Sequence, residues 1–224
     1  MRIHFSTVLA PLAAIIFPAL SFAQGAMSGG SPEQALLSSA CGQMAQFYGL
    51  IGGTGAGMTD AKMMDFQAGY EQASNLTLVG NAGTNLIYEA AGMHASLLGI
   101  CKETLVADND MIGAAQRTMR GIEVSDESLS LETIKATCMG GPGHYLGSPQ
   151  TLQLMQRDYV YPTVGDRWSP NQWNEKGRPG YVERAAAKTR AIMETHHPRH
   201  VSREVDDAIR AKFPIKLERS AMGE

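Results

Sequence analysis

The chain is poor in cysteine, poor in aromatic side chains and nearly balanced in charge. Its three cysteines, Cys41, Cys101 and Cys138, stand far apart with no CxxC spacing. They cannot all pair, which argues against a secreted disulfide framework and leaves buried, reduced thiols as the expectation. None has a local basic partner that would mark a thiolate. A formal net charge of −3 over 224 residues, with 19 Lys and Arg spread thinly, leaves no basic stripe for nucleic acid or an anionic membrane surface. With 44% hydrophobic and 18% charged residues the composition excludes disorder, and 24 aperiodic glycines exclude a collagen-like repeat. Aromatics reach 7% against 13 methionines, a balance that suits a helix-rich core better than an all-β sandwich.

Catalytic signatures are equally scarce. No GxGxxG follows a strand, and Gly53-Thr54-Gly55-Ala56-Gly57 has the wrong spacing for a dinucleotide site. A P-loop, HExxH and GxSxG are all missing, so hydrolytic mechanisms lack a nucleophile. Residues 1–23 carry Arg2, an apolar run from Val8 to Leu20 and small residues at Ala19, Ser21 and Ala23, the pattern of an export signal. Pro11 and Pro18 interrupt it, and Ala13–Phe17 equally suits a buried strand; the run is too short to span a membrane. The rest of the chain points to the cytoplasm, with export as the alternative.

What is present is an α/β rhythm. Ser31-Pro32-Glu33 reads as a helix start, and Ala35 to Tyr48 continue an apolar stripe up to Gly49. A glycine-rich loop, Gly52 to Gly57, follows. Asp60 is placed to cap a helix over 61–74, Leu76–Val79 reads as a strand, and 85–98 as a helix. Glu103–Val106 reads as the next strand, with Asp108-Asn109-Asp110 capping a helix to Arg120. Helices are expected over 128–138, 150–157, 181–195 and 202–212, the last two amphipathic. Alternation of this kind demands a parallel sheet with right-handed crossovers, either doubly wound or a (β/α) barrel. Asn81, Asn85, Asp108 and Asp110 then fall just past expected strand ends, where a barrel places its chemistry. Two or three strands are legible, not eight.

Several constellations compete with plain structural roles. Gln67 and Glu71 share a helix face beside Asp60 and Tyr70; they form either a solvated face or a pocket wall for a cation, with Tyr70, Tyr88 or Tyr145 offering π-faces to a quaternary ammonium group. His94 is either a hydrogen-bonded structural residue or a catalyst. His144 follows Gly140-Gly141-Pro142-Gly143 and precedes Tyr145, a setting for a ligand contact or merely a turn. His196, His197 and His200 surround Pro198, which breaks the helix that a shared metal would need. No metal site is expected. Tyr159 to Trp168 reads as a structural lock on the C-terminal part, with Arg167 able to pair with Asp166. On these grounds Tyr70, Glu71, Tyr88 and Tyr145 are expected to shape a cation site, and Asp60, Asn81, Asn85, His94, Asp108 and His144 to line its mouth.

Four segments, taken together and in order, resemble a known family. They are 24–33 (QGAMSGGSPE), Met58–Lys62 with Gln67–Glu71, Gly143–Gly147, and Tyr161-Pro162 with Gly165-Asp166-Arg167. From about residue 24 to about 212 the chain is similar to the trimethylamine:corrinoid methyltransferases. The resemblance implies an α/β fold, the C-terminal portion of a (β/α)8 TIM-type barrel about twice this length. Residues 24–224 would form that portion, and 1–23 a signal-like segment or a remnant barrel strand. It further implies transfer of a methyl group from a tertiary or quaternary amine to the cobalt of a small corrinoid protein, with no cofactor bound directly by this chain. The family's founding branch carries pyrrolysine in the stretch that here reads Asp60 to Asp65, so this chain looks like the branch without it, for which glycine betaine is a more suitable substrate than trimethylamine. Gln150 stands where relatives can carry His. Catalytic roles would fall to Asp60, His94 and His144, and substrate contacts to Tyr70, Glu71, Asn81, Asn85, Tyr88, Asp108 and Tyr145. The alternative is a truncated, non-catalytic remnant or binding module for quaternary amines.

Overall fold

Ser31 accepts a hydrogen bond from the Gln34 amide and Pro32 opens the first turn, so helix α1 (Pro32–Phe47) begins where local chemistry sets it. The structure, a computed structural model, describes residues 29–197 and 200–222. The apolar segment 1–23 lies outside the described residues.

After α1 the chain forms β1 (Gly53–Gly55), α2 (Phe66–Asn81) and β2 (Leu86–Tyr88). β1 and β2 pair in parallel, with Gly53 opposite Leu86 and Gly55 opposite Tyr88. The unit is therefore a β–α–β crossover through α2. A short antiparallel pair, β3 (Met93–His94) and β4 (Gly99–Ile100), precedes the long helix α3 (Lys102–Arg120). Then come α4 (Asp126–Leu129), α5 (Leu131–Cys138), α6 (Pro149–Asp158), α7 (Pro170–Glu175), α8 (Tyr181–Thr195) and α9 (Arg203–Lys212).

Several expectations are corrected. The glycine loop 52–57 contains β1. Leu76–Val79 is helical, inside α2: Leu76 and Val79, three apart, are buried while Leu78 is exposed. A four-residue apolar run cannot distinguish a strand from one buried helix face. Glu103–Val106 and the Asp108–Asp110 cluster both lie within α3. Asp65, not Asp60, caps α2 by accepting from the Ala68 amide at 3.0 Å. The expected helix over 85–98 is replaced by β2, β3 and a turn in which Ala95, Ser96 and Leu97 all take left-handed backbone angles. Tertiary pairing with β1 and with the 59–61 segment overrides local preference there. The helices expected at 128–138, 150–157, 181–195 and 202–212 form within a few residues of their expected limits.

The core is built from small side chains. Ala56, Leu76, Val79 and Ala115 form one cluster with Ile87, Met111 and Ile112 packed against it; Ala107, Val164 and Ala185 form another with Met64 and Val106. Small residues let α2, α3 and α8 approach closely. On β2 the alternation is clear: Ile87 joins the core, while Leu86 and Tyr88 face outward, 59% and 49% exposed. The C-terminal lock exists with other partners than expected. Asp166 pairs with Arg184 at 3.1 Å, and Arg184 also caps the Val164 carbonyl and stacks near Trp168. The cysteines are free, but Cys138 is exposed and the other two only partly buried, so the expectation of three buried thiols is corrected. Among the described residues no helix is long and apolar enough to cross a membrane.

Candidate functional site

The C-terminal ends of β1 and β2 lead into the segments that carry the densest buried polar network. Buried polar side chains on two helices first fix the end of β1. Gln34 on α1 donates to the Gly55 carbonyl and accepts from Asn75 of α2, whose Oδ1 takes the Gly57 amide at 3.2 Å. The next residues, Met58 to Ala61, are clamped by the β3–β4 hairpin. Thr59 N donates to Met93 O, Ser96 N to Thr59 O and Ala95 N to Ala61 O. His94 adds Nδ1 to Ala61 O at 3.2 Å and sits 2.8 Å from Thr104 Oγ1 through Nε2. A carbonyl only accepts, so the proton assigned to the ring is on Nδ1. Both ring nitrogens are engaged and the side chain is buried, the geometry of a strut between hairpin, loop and α3.

Glu71 is the centre of the site. Its Oε2 accepts from Thr59 Oγ1 at 2.6 Å and from Asp60 N at 2.8 Å; its Oε1 accepts from Gln67 Nε2 at 2.8 Å and Tyr70 OH at 3.3 Å. Burial alone would raise its pKa, yet these hydrogen bonds outweigh it and hold the carboxyl below its ordinary range. All four donors are neutral, so the negative charge is solvated by the protein without being cancelled. Burial, and then the Glu71 charge, push the neighbouring Asp60 up. The Tyr70 phenol is raised as well, by desolvation first and by Glu71 next. Gly30 closes the cluster: a Cβ there would lie 2.5 Å from Glu71 Oε2 and 2.8 Å from Asp60 N. Beside it Tyr70 is half exposed, its ring 5.7 Å from that of the exposed Phe66. Tyr88 ends β2 over Gly55, where a Cβ would lie 3.5 Å from its ring.

The expected residues therefore divide. Asp60, Tyr70 and Glu71 come together, Tyr88 stands at the same end of the strands, and His94 braces the loop beneath. Asn81 ends α2 and bonds Thr77 O and Thr118; Asn85 precedes β2 and accepts from Gly52 N. Both sit at the N-terminal ends of the strands, the reverse of their expected placement, because the strand expected at 76–79 is helix. His144 and Tyr145 lie in an exposed turn, with Tyr145 OH 3.5 Å from Cys138 Sγ. The cavity between α2 and α3 is lined by Asp108 and by none of Tyr70, Asn81 or His144.

Asp108 stands apart, on α3. It is 5% exposed, and its Oδ2 accepts from Gly92 N at 2.7 Å and Gln72 Nε2 at 3.0 Å. Burial outweighs these bonds and its pKa is pushed up to about 6. Thr59, Gly30, Gln34 and Asn75 were not singled out by sequence reasoning; their signal is polar side chains on helix faces otherwise turned inward, plus a glycine before a cap. Among the described residues no group of three His, Cys, Asp or Glu is arranged to hold a metal ion.

Comparison with known proteins gives the family. The profile of the family described as trimethylamine methyltransferase (MTTB) matches residues 3–221. A glycine betaine methyltransferase of Desulfitobacterium hafniense (strain Y51) is 30% identical over 187 residues, 84% of this chain and 38% of the relative. The trimethylamine methyltransferase MttB of Methanosarcina thermophila is 36% identical over 177 residues, covering 79% of this chain and 36% of its own. MttB2 of Methanosarcina mazei is 37% identical over 168 residues, 75% of this chain and 33% of the relative. The chain thus spans only a third to two-fifths of the length of these relatives. With nearly its whole length matched, and with the Glu71 cluster falling inside the matched span, this chain belongs to the trimethylamine methyltransferase (MTTB) family.

Proposed function

We propose that the chain forms the C-terminal part of a (β/α)8-type barrel, and that its Glu71 cluster holds the cationic end of a methylated amine while a methyl group passes to a separate corrinoid protein. The β1–α2–β2 crossover is the repeating unit of such a barrel, and the cluster lies where barrels carry chemistry, past the strands' C-terminal ends. The observation that carries the reading is a carboxylate kept ionised by four neutral donors beside two aromatic rings. A fixed charge of this kind attracts a quaternary or tertiary ammonium group by a few kcal/mol at about 4 Å under an effective dielectric near 20. Tyr70 and Phe66 add cation–π attraction of roughly 0.5–2 kcal/mol.

The corrinoid supplies the nucleophile, which relieves this chain of providing one. The chain's own work is to bind the ammonium group, turn one methyl outward and exclude competing nucleophiles. The exposed, adjoining rings of Phe66 and Tyr70 support docking of a broad planar group against the site. Glycine betaine and trimethylamine are the substrates to try, as they appear in the names of the relatives. The test mixes the folded protein with a reduced corrinoid protein and either amine. The expected result is methylation of the corrinoid, seen in its visible spectrum; an unchanged spectrum with both amines ends the transfer reading.

Binding without turnover is the second reading, and it keeps the same fixed charge of the Glu71 cluster for the amine. It predicts calorimetric binding of the amine with no spectral change in the corrinoid.

A further inference from the structure

An amphipathic helix ordinarily turns its apolar stripe toward the core and its charges toward water. Helix α9 does the reverse. Its charged side is covered by the tail of the same chain: Arg219 donates to Asp206 and Asp207, and Arg210 bonds Asp206 and the Leu217 carbonyl. The Asp206 and Arg210 side chains are 22% and 19% exposed. The apolar side stays open. Val205, Ala208, Ile209 and Phe213 are all exposed, and no residue of the helix is buried. A shallow groove on this side is lined by Glu204, Val205, Ala208, Ile209, Lys212 and Phe213, all from α9 and the residue that follows it.

The charges on this face decide what can cover it. Glu204 and Lys212 stand eight residues apart, about 12 Å along the axis, with Ala208 midway. Neither enters an ion pair among the described residues, and Glu204 takes a hydrogen bond from Ser202. Laid antiparallel on a second copy of itself, with the two-fold axis at Ala208, the helix brings each Glu204 beside Lys212 of the other copy. The small Ala208 at the axis lets the two helices approach to about 8–10 Å, and Val205 and Ile209 close over it. Parallel pairing would oppose Glu204 to Glu204 and Lys212 to Lys212, and a partner with flanks of a single sign would meet one of the two with like charge.

We propose that α9 is a self-association helix, through which two copies of the chain pair antiparallel over the face from Val205 to Phe213, with two symmetric Glu204–Lys212 contacts. Such an interface is isologous and closes on itself. It is also small. A helix of this length buries less than the roughly 800 Å² per partner of a stable interface, so the dimer is transient, with a dissociation constant on the order of 10–100 µM. The helix carries none of the residues of the Glu71 cluster, so pairing assembles the chain without entering that site.

The test is sedimentation equilibrium of the full chain at concentrations up to several hundred micromolar, with circular dichroism on every variant. A reversible monomer–dimer equilibrium is expected. Lys212→Glu and Glu204→Lys each place like charges together at both contacts and should weaken the dimer at least tenfold. The double exchange Glu204→Lys with Lys212→Glu restores opposite signs and should recover affinity to within about threefold of wild type. Both residue types are good helix formers, so α9 should keep its helix. Lys212→Gln removes one charge without reversing it and should weaken the dimer less than Lys212→Glu does. A chain that stays monomeric throughout, a dimer indifferent to Lys212→Glu, or no recovery in the double exchange overturns the proposal. So does a dimer that ignores these exchanges and is lost in Leu36→Glu, on the exposed apolar side of α1.

Discussion

Asp110, in the middle of α3, accepts both the amide and the hydroxyl of Thr163, 53 positions further along the chain, at 2.7 and 3.0 Å. The same carboxylate takes the amides of Val164 and Gly165 at 2.7 and 2.9 Å. One side chain thereby pins a loop whose Val164 is a core residue.

That pin makes stability depend on pH in a definite direction. Burial pushes the Asp110 carboxyl up, but the four bonds prevail and its folded pKa lies below the ordinary value. Its contribution is present above the unfolded carboxylate range and disappears as pH falls through the folded value. Asp110→Asn should cost about 1–3 kcal/mol at neutral pH. In thermal unfolding the gap between wild type and variant should narrow steadily below about pH 4.

Asp108 works in the opposite sense. Its folded pKa of about 6 is above the unfolded one, so ionisation opposes folding and stability drops as pH rises through the interval between them. Asp108→Asn should therefore stabilise the protein at pH 7.5 by about 2–3 kcal/mol and be nearly neutral near pH 4. Denaturant titrations at the two pH values check this; a variant less stable at pH 7.5 contradicts it.

Glu71→Gln tests the proposed cation site. Glutamine has one acceptor oxygen where the carboxylate has two, so at least one of Thr59, Asp60 N, Gln67 or Tyr70 loses its partner. Destabilisation of about 2–3 kcal/mol is expected. Affinity for a methylated ammonium ion should fall at least tenfold in calorimetric titration of the folded protein.

Gly30→Ala has no room for its methyl group, since the added carbon meets Glu71 Oε2 and the backbone of Thr59 and Asp60 within 3 Å. A loss of about 1–3 kcal/mol is expected. Gly53→Ala, whose Cβ would make only ordinary contact with Leu86 at 3.7 Å, should change the unfolding midpoint little.

Much of the helical framework is legible in the chain because its signals are local. Ser31-Pro32 starts α1, and the amphipathic spacing of 181–195 and 202–212 marks α8 and α9. The grouping of Asp60, Tyr70 and Glu71 is legible too, since they stand within one loop and the helix turns after it. Short apolar runs are not: Leu76–Val79 and Glu103–Val106 read as strands and are half-buried turns of long helices. That error moved Asn81 and Asn85 to the wrong end of the sheet in the sequence reading. The left-handed turn at Ala95–Leu97 carries no glycine to announce it; its amides are spent on the carbonyls of Thr59 and Ala61.

Family membership is determined by the sequence itself, through short segments in order along the chain, and so are the caps and periods of the main helices and the acidic, aromatic character of the stretch from Asp60 to Glu71, which depend on residues within a few positions of one another. Which carboxylates are filled, and what surrounds them, was decided only by tertiary structure. Glu71 meets Thr59, Asp108 meets Gly92 and Gln72, and Asp110 meets Thr163 across separations of 12 to 53 residues, and no local pattern encodes a donor that arrives from another element.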